Sequence, residues 1–341
     1  MKRLLPHETD QRFLIFAATG TDLIFNRRVE LPGFASFPLV EDANAQPIVV
    51  DQMRDLMKVA AKADLGCIID TLTWMANRDR AAPLGYGADR LAALNQKAVA
   101  LMCNLRDEAM RDDVLVALCI GPSRDAYAKL PPLTVAAARA YHAIQIGTVA
   151  DAGIDLVNAY TFNQVEEAAG AVLAAKDCGV PIAVSFVVET DGCLDNGTGL
   201  EEAIDRVDAL TDGAAAYFMV NCAHPDHFSH VLTGHPRLKG MAVNASRCSH
   251  AELDNATELD DGNPKELGAE VARLFAPVIC QHQQAFAVAI QPPRRVNTGW
   301  QPEPRQGRAL RRAACVGELA QHAKGFVEQD RGHDLQIAGS A

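Results

Sequence analysis

The sequence predicts an α/β fold, a single-domain (β/α)8 TIM barrel, on three observations. Eight short apolar runs are spread along the 341 residues, segments of helical period lie between them, and the runs are continuously apolar rather than alternating. Continuous runs belong to strands buried on both faces, as in a parallel sheet covered by helices. The predicted strands are 13–18 (FLIFAA), 66–71 (GCIIDT), 114–120 (VLVALCI), 155–160 (DLVNAY), 181–188 (PIAVSFVV), 216–221 (AYFMVN), 238–244 (LKGMAVN) and 285–290 (AFAVAI). Between the second and third lies a predicted helix, 89–111, whose Leu91, Leu94, Ala98, Leu101, Met102 and Leu105 share one face; another, 134–152, starts at Thr134, a side chain suited to an N-cap.

Eight βα units in a chain of this length favour a closed barrel over an open doubly wound sheet. An open dinucleotide-binding sheet needs GxGxxG after its first strand, and here Thr19-Gly20-Thr21 follows instead. From about Gln281 the chain turns rich in Gln, Pro and Arg (QHQQ, QPPRRVN, QPEPRQGRALRRAA), with one further helical stretch at 307–327. The predicted layout is therefore a barrel over residues 1–290 and a divergent, basic C-terminal extension over 291–341, partly helical or disordered.

Composition narrows the function. With 49% hydrophobic residues the chain can build a large core, and a net charge of −11 disfavours nucleic acid or an anionic membrane as partner. A small molecule is the expected ligand. No apolar run reaches the roughly 18 residues that cross a bilayer, and MKRLLPHETDQRFLIF lacks the apolar stretch of a secretory signal, so a cytoplasmic protein is expected. In that reducing compartment the nine cysteines are expected to be thiols, and none forms a CxxC pair.

A barrel carries its chemistry just past the carboxyl ends of its strands. The second strand leads into Asp70-Thr71-Leu72-Thr73-Trp74-Met75-Ala76-Asn77, then Leu84-Gly85-Tyr86, and the third into Gly121-Pro122-Ser123-Arg124-Asp125. The sixth leads into Asn221-Cys222-Ala223-His224-Pro225, and the seventh into Asn244-Ala245-Ser246, then Ser249-His250. In order and spacing these blocks, over about 13–274, closely resemble the homocysteine S-methyltransferase family of zinc-dependent barrels.

The resemblance implies thiol alkylation: a zinc-bound thiol such as homocysteine takes a methyl group from a sulfonium or quaternary ammonium donor and becomes methionine. Zinc coordination deprotonates a thiol that is otherwise mostly protonated at neutral pH. The family's three zinc cysteines leave the fourth tetrahedral position to the substrate sulfur, and Cys222 falls on the one at the end of strand six, as catalytic residue and metal ligand. The other two belong to a Gly-Gly-Cys-Cys block after strand eight. Here Gln291-Pro292-Pro293 stands in its place, Cys280 precedes the strand and Cys315 lies in the extension. A substitute set could come from His224, His227 and His230, although a helix starting at Pro225 should keep only His224 near the barrel mouth and carry the other two outward.

The family also has an Asp-Gly-Gly block after strand one and a Glu-Thr pair after strand four, acids suited to an amino acid's ammonium group. The aligned positions read Phe16-Ala17-Ala18 and Tyr160-Thr161; Gly20, Thr21 and Thr161 are retained and both acids are gone. Asp70, Glu189 or Asp191 can supply the charge instead, Asp191 reading equally as a loop aspartate beside Gly192. Trp74 and Tyr86 suit the walls of a pocket for a methylated cation, Thr73 lies in the same strand-end block, and Asn221 and Asn244 suit hydrogen-bonding support. Two alternatives stay open: a family barrel impaired by loss of its metal block, and an aldolase or sugar-phosphate barrel, which needs a strand-end lysine that Lys239, opening strand seven, does not supply.

Overall fold

In the computed structural model, β1 (Phe13–Ile15), β2 (Gly66–Asp70), β3 (Val114–Ile120), β4 (Leu156–Phe162), β5 (Ile182–Val187), β6 (Tyr217–Asn221), β7 (Leu238–Asn244) and β8 (Ala287–Gln291) run parallel in sequence order, and β8 pairs with β1 to close the barrel. The structure describes residues 3–15, 19–127, 131–255, 260, 262–274 and 287–291. The helices are α1 (Thr19–Phe25), α2 (Gln46–Lys62), α3 (Arg78–Ala81), α4 (Ala88–Ala109), α5 (Val135–Val149), α6 (Val165–Asp177), α7 (Leu200–Thr211), α8 (Pro225–Phe228), α9 (His250–Asn255) and α10 (Pro264–Leu274).

The predicted strands and the observed ones coincide within two residues wherever both are described, because each run is buried along its whole length. Successive side chains point to opposite faces. In β3, Leu115, Ala117 and Cys119 join the barrel interior while Val114, Val116, Leu118 and Ile120 pack outward against helices. The interior is filled by Phe13, Ile68, Leu156, Tyr217, Met219 and their neighbours, with Leu5 added from the N-terminal segment.

The helices follow their sequence signals. In α4 the residues Leu91, Leu94, Ala98, Met102 and Leu105 are buried, three or four apart, and the helix stops at Met110 in a left-handed conformation. Thr134 caps α5 by accepting the Ala137 amide at 3.2 Å. Next to it, α6 approaches closely enough that a Cβ on Gly170 would collide with Ala138, so only glycine fits there.

Three expectations need comment. β4 runs to Phe162 rather than 160, because an irregularity between Ala159 and Phe162 inserts an extra residue and lets pairing with β5 resume beyond it. The predicted first strand extends to 18, and residues 16–18 lie outside the described set, as does the extension beyond 291 with its predicted helix. Among the described residues, no helix is long and apolar enough to cross a membrane.

Candidate active site at the barrel mouth

The irregularity in β4 puts Thr161 at φ +67°, and the residue after β6, Cys222, stands at φ +58°. Left-handed conformations cost non-glycine residues about 1–3 kcal/mol, most for a β-branched one, and persist where surrounding bonds over-determine them. Here Asn221 supplies those bonds. Its Oδ1 accepts the Thr161 amide at 3.0 Å, and its Nδ2 donates to Thr161 Oγ1 at 2.9 Å and to Cys222 Sγ at 2.9 Å. The threonine hydroxyl and the cysteine sulfur are 3.9 Å apart, and all three residues are buried.

Strand β7 fixes the cysteine from the other side. The Cys222 amide donates to Ala242 O at 3.0 Å, and its carbonyl accepts from Asn244 Nδ2 and His250 Nε2, both at 2.8 Å. The other ring nitrogen of His250 lies 3.0 Å from Glu189 Oε1, and that contact is the main reason the Glu189 carboxyl is held below its usual range. Thr161, Asn221, Cys222 and Asn244 thus form one interlocked unit across β4, β6 and β7, as their positions at three strand ends imply. His250 was not singled out as a site residue; its signal is its place shortly after strand seven.

The other predicted residues separate. Trp74 is half-buried at the mouth on the β2 side, its indole N–H donating to Tyr160 O at 3.2 Å and its ring resting where Gly121 leaves no room for a Cβ. The Arg80 guanidinium already lies 5.4 Å from its ring centre. Tyr86 lies in a satellite cluster with Phe37, Met75 and Leu94, donates to Glu41 at 3.3 Å, and has Arg90 4.0 Å above its ring. Thr73 is fully buried and donates to Cys119 O at 2.8 Å, tying the β2 loop to β3. Gly20 and Thr21 sit in α1, where Gly20 faces the Phe34 ring. Asp191 is exposed and accepts the Cys193 amide at 3.0 Å, an ordinary turn role.

Inside the mouth, Asp70 ends β2 as a buried carboxylate. Asn158 Nδ2 donates to its Oδ1 at 2.8 Å and the Tyr160 hydroxyl to its Oδ2 at 3.1 Å. Burial outweighs these two donors and pushes Asp70 up to about 7. Burial likewise raises the Tyr160 phenol, with the Asp70 charge adding to it.

The donor set for zinc was tested against these contacts. Among the described residues, the one group of three ligand atoms close enough to share a metal is His224, Asp226 and Glu270, and Cys222 is not in it. Cys248 is exposed, while Cys280 and Cys315 lie outside the described residues. A single cysteine whose sulfur accepts from an amide does not make a three-thiolate zinc site, so the residues described do not fit the ion. The histidines do not replace the missing pair. His224 caps α8 by accepting the Asp226 amide at 3.1 Å, and burial pushes it down to about 4. His227 is not carried outward as expected: it is buried and bonded to Arg247 O at 2.8 Å, because α8 is only one turn long and folds against the β7 loop. His230 is exposed. The Asp226 and Glu270 carboxylates are already bridged by Arg247, at 2.7 and 2.6 Å.

A closed (β/α)8 barrel with a strained cysteine at the end of β6 and a buried carboxylate at the end of β2 defines a class: a barrel enzyme acting on a small molecule held at the carboxyl ends of its strands. The particular family comes from comparison. The model of the family described as homocysteine S-methyltransferase matches residues 17–288, most of the chain, and the protein belongs to that family and is an enzyme of the methyltransferase kind. Among solved structures, the metallated and oxidized forms of the homocysteine methyltransferase MmuM from Escherichia coli each match with a TM-score of 0.64 at 18% identity, over 92% of this chain and 96% of that one. The apo form of the same protein matches at 0.59 and 17%. Identity this low speaks for the fold alone. No curated protein matches the sequence.

Proposed function

We propose that the protein transfers a methyl group from a sulfonium or quaternary ammonium donor to the thiol of an amino acid such as homocysteine, forming methionine, at the mouth around Cys222. The observation that supports this most is the Cys222 sulfur, held at the end of β6 in a strained backbone by Asn221, Thr161, Asn244 and His250, in a chain of this family. The reaction is an in-line displacement. The acceptor sulfur forms a bond to the methyl carbon as the donor's C–S or C–N bond breaks, the bonding pair leaves with the donor, and the thiol proton passes to solvent.

Zinc is the family's expected means of activating the thiol, and since the described residues do not fit it, no step is routed through the metal. What the chain's own residues contribute is placement. Asn221 fixes the Cys222 sulfur beside which the acceptor sulfur docks, Asn244 and His250 hold the Cys222 carbonyl, and Trp74 lines the donor side. Holding two reactants in line is by itself a large share of such a catalyst's effect. A second reading, a family barrel that binds its acceptor but transfers slowly, is favoured by the unmatched metal donors. Both readings place the enzyme in the cytoplasm and take only small molecules as substrates.

The test is direct. Full-length protein is incubated with L-homocysteine and either S-methylmethionine or glycine betaine, and methionine is measured by mass spectrometry. Methionine formed by the native chain and lost in Cys222→Ala supports transfer. Equal traces from both with either donor, together with measurable homocysteine binding, support the second reading.

A further inference from the structure

Asp70 ends β2 with its side chain turned into the barrel, on the same face as Ile68, and it retains 7% of its surface accessible. Its two oxygens receive one hydrogen bond each, from Asn158 and Tyr160, whereas a carboxylate offers about four acceptor positions. No lysine, arginine or histidine among the described residues forms an ion pair with it. The other buried acid among the described residues, Glu167, has help: it lies 3.1 Å from His142 Nε2 and accepts the Ser123 amide at 2.6 Å.

The surroundings are also short of donors. Asn158 Oδ1, Ser185 Oγ and Tyr217 Oη, all fully buried on the inner faces of β4, β5 and β6, have no hydrogen-bond partner. Buried polar groups in native proteins are nearly always paired, and each orphan costs about 1–3 kcal/mol. Burial raises the Tyr217 phenol, which is also near enough to Asp70 for the carboxylate charge to add to the rise. One buried negative charge without a cation, an amide oxygen without a donor and two hydroxyls whose lone pairs are unused describe the imprint of a group that carries both positive charge and N–H bonds.

We infer that Asp70, with Asn158 and Tyr160 around it, is the docking site for a primary ammonium group of the substrate. The inference rests on the acceptor being an amino-acid thiol, and it makes Asp70 the residue that selects an acceptor bearing an amine. The cationic centre of the methyl donor, a sulfonium or quaternary ammonium, has no N–H of its own; a donor such as S-methylmethionine does bear an α-ammonium, and the donor's KM tells whether Asp70 serves it instead. A buried charge left alone is costly, so a cation that also makes the missing hydrogen bonds is favoured where Asp70 is already desolvated. The unpaired carboxylate is protonated over part of the neutral range, so docking should strengthen as pH rises and the proton leaves.

The experiment compares L-homocysteine with 4-mercaptobutanoic acid, the same thiol without the amine, by calorimetry on full-length protein and on Asp70→Asn. The native chain should prefer homocysteine, and Asp70→Asn should lose about thirtyfold or more of that affinity while binding the amine-free thiol as before. Homocysteine binding to the native chain should tighten from pH 6 to pH 8, and the variant should be flat. A melting temperature in Asp70→Asn no lower than that of the native chain shows that the loss is local. Equal binding of the two thiols by the native chain, equal loss of both in the variant, or a change confined to the donor's KM overturns the assignment. If homocysteine binding depends on Asp70 as described but no methionine forms, the ammonium site stands and the transfer reading alone fails.

Discussion

Two groups of ionisable residues, each built around buried side chains, are put together by opposite rules. Where α8 meets α10, Arg247 spans Asp226 and Glu270 at 2.7 and 2.6 Å, so both acids there face a cation, while the neighbouring His224 stays neutral. Inside the mouth, Asp70 has two neutral donors and no cation, and beside it Thr161 and Cys222 hold left-handed backbones. The balanced cluster fastens α10 to α8. The unbalanced one stores strain and uncompensated charge, which a folded protein keeps where a ligand later supplies what is missing. Changes inside the mouth should therefore cost activity, and changes to the outer cluster should cost stability.

The largest expected effect is at Cys222. In a chain that forms methionine, Cys222→Ala should lower kcat/KM about a thousandfold or more, equivalent to about 4 kcal/mol, with little change in melting temperature. A comparable loss from Arg247→Ala would erase the contrast between the clusters. Second is the stability of Asp70→Asn. The folded-state pKa of Asp70, about 7, lies above its unfolded value of 3.8, so between those pH values the folded chain binds more protons than the unfolded one. The contribution of this group is fully present below pH 4 and lost as pH rises to 7. Asparagine does not titrate, and the variant should be more stable than the native chain at pH 8, by about 4 kcal/mol as an upper figure, with the difference closing near pH 4; denaturant unfolding at the two pH values measures it. Third, Arg247→Ala should lower stability by about 1–2 kcal/mol, the modest value expected of a half-exposed arginine, and leave KM for homocysteine within a factor of two.

The barrel was legible because its signal is repeated eight times, and burial on both faces leaves each strand little freedom of length. The cluster of Thr161, Asn221, Cys222 and Asn244 was legible for a related reason: strand ends converge in a barrel whatever lies between them. Tyr86 and His227 were not, since their positions depend on which way short loops fold, Tyr86 onto Phe37 and His227 onto the Arg247 carbonyl. Local sequence does not encode those contacts. Asp70 stood in view as a possible charge, but that it lacks a cation and sits among unpaired acceptors is a property of side chains from four strands at once. Nothing in the run GCIIDT announces it.

The smallest expected effect falls on the support of the Cys222 carbonyl. His250 reaches from α9 to the Cys222 carbonyl at 2.8 Å and is held in turn by Glu189 at 3.0 Å, so it positions the reactive sulfur without touching substrate. The carbonyl also accepts from Asn244, which limits the damage when the imidazole is removed. His250→Ala should therefore reduce kcat about tenfold, or about 1.4 kcal/mol, with KM for homocysteine nearly unchanged, because the Asp70 end of the acceptor pocket is untouched. Glu189→Gln keeps a hydrogen-bond acceptor for the ring and should recover most of that activity, whereas Glu189→Ala should behave like His250→Ala. A fall in KM-dependent binding equal to the fall in kcat would mean that Cys222 and Asp70 form one rigid site rather than two that meet at the acceptor's opposite ends.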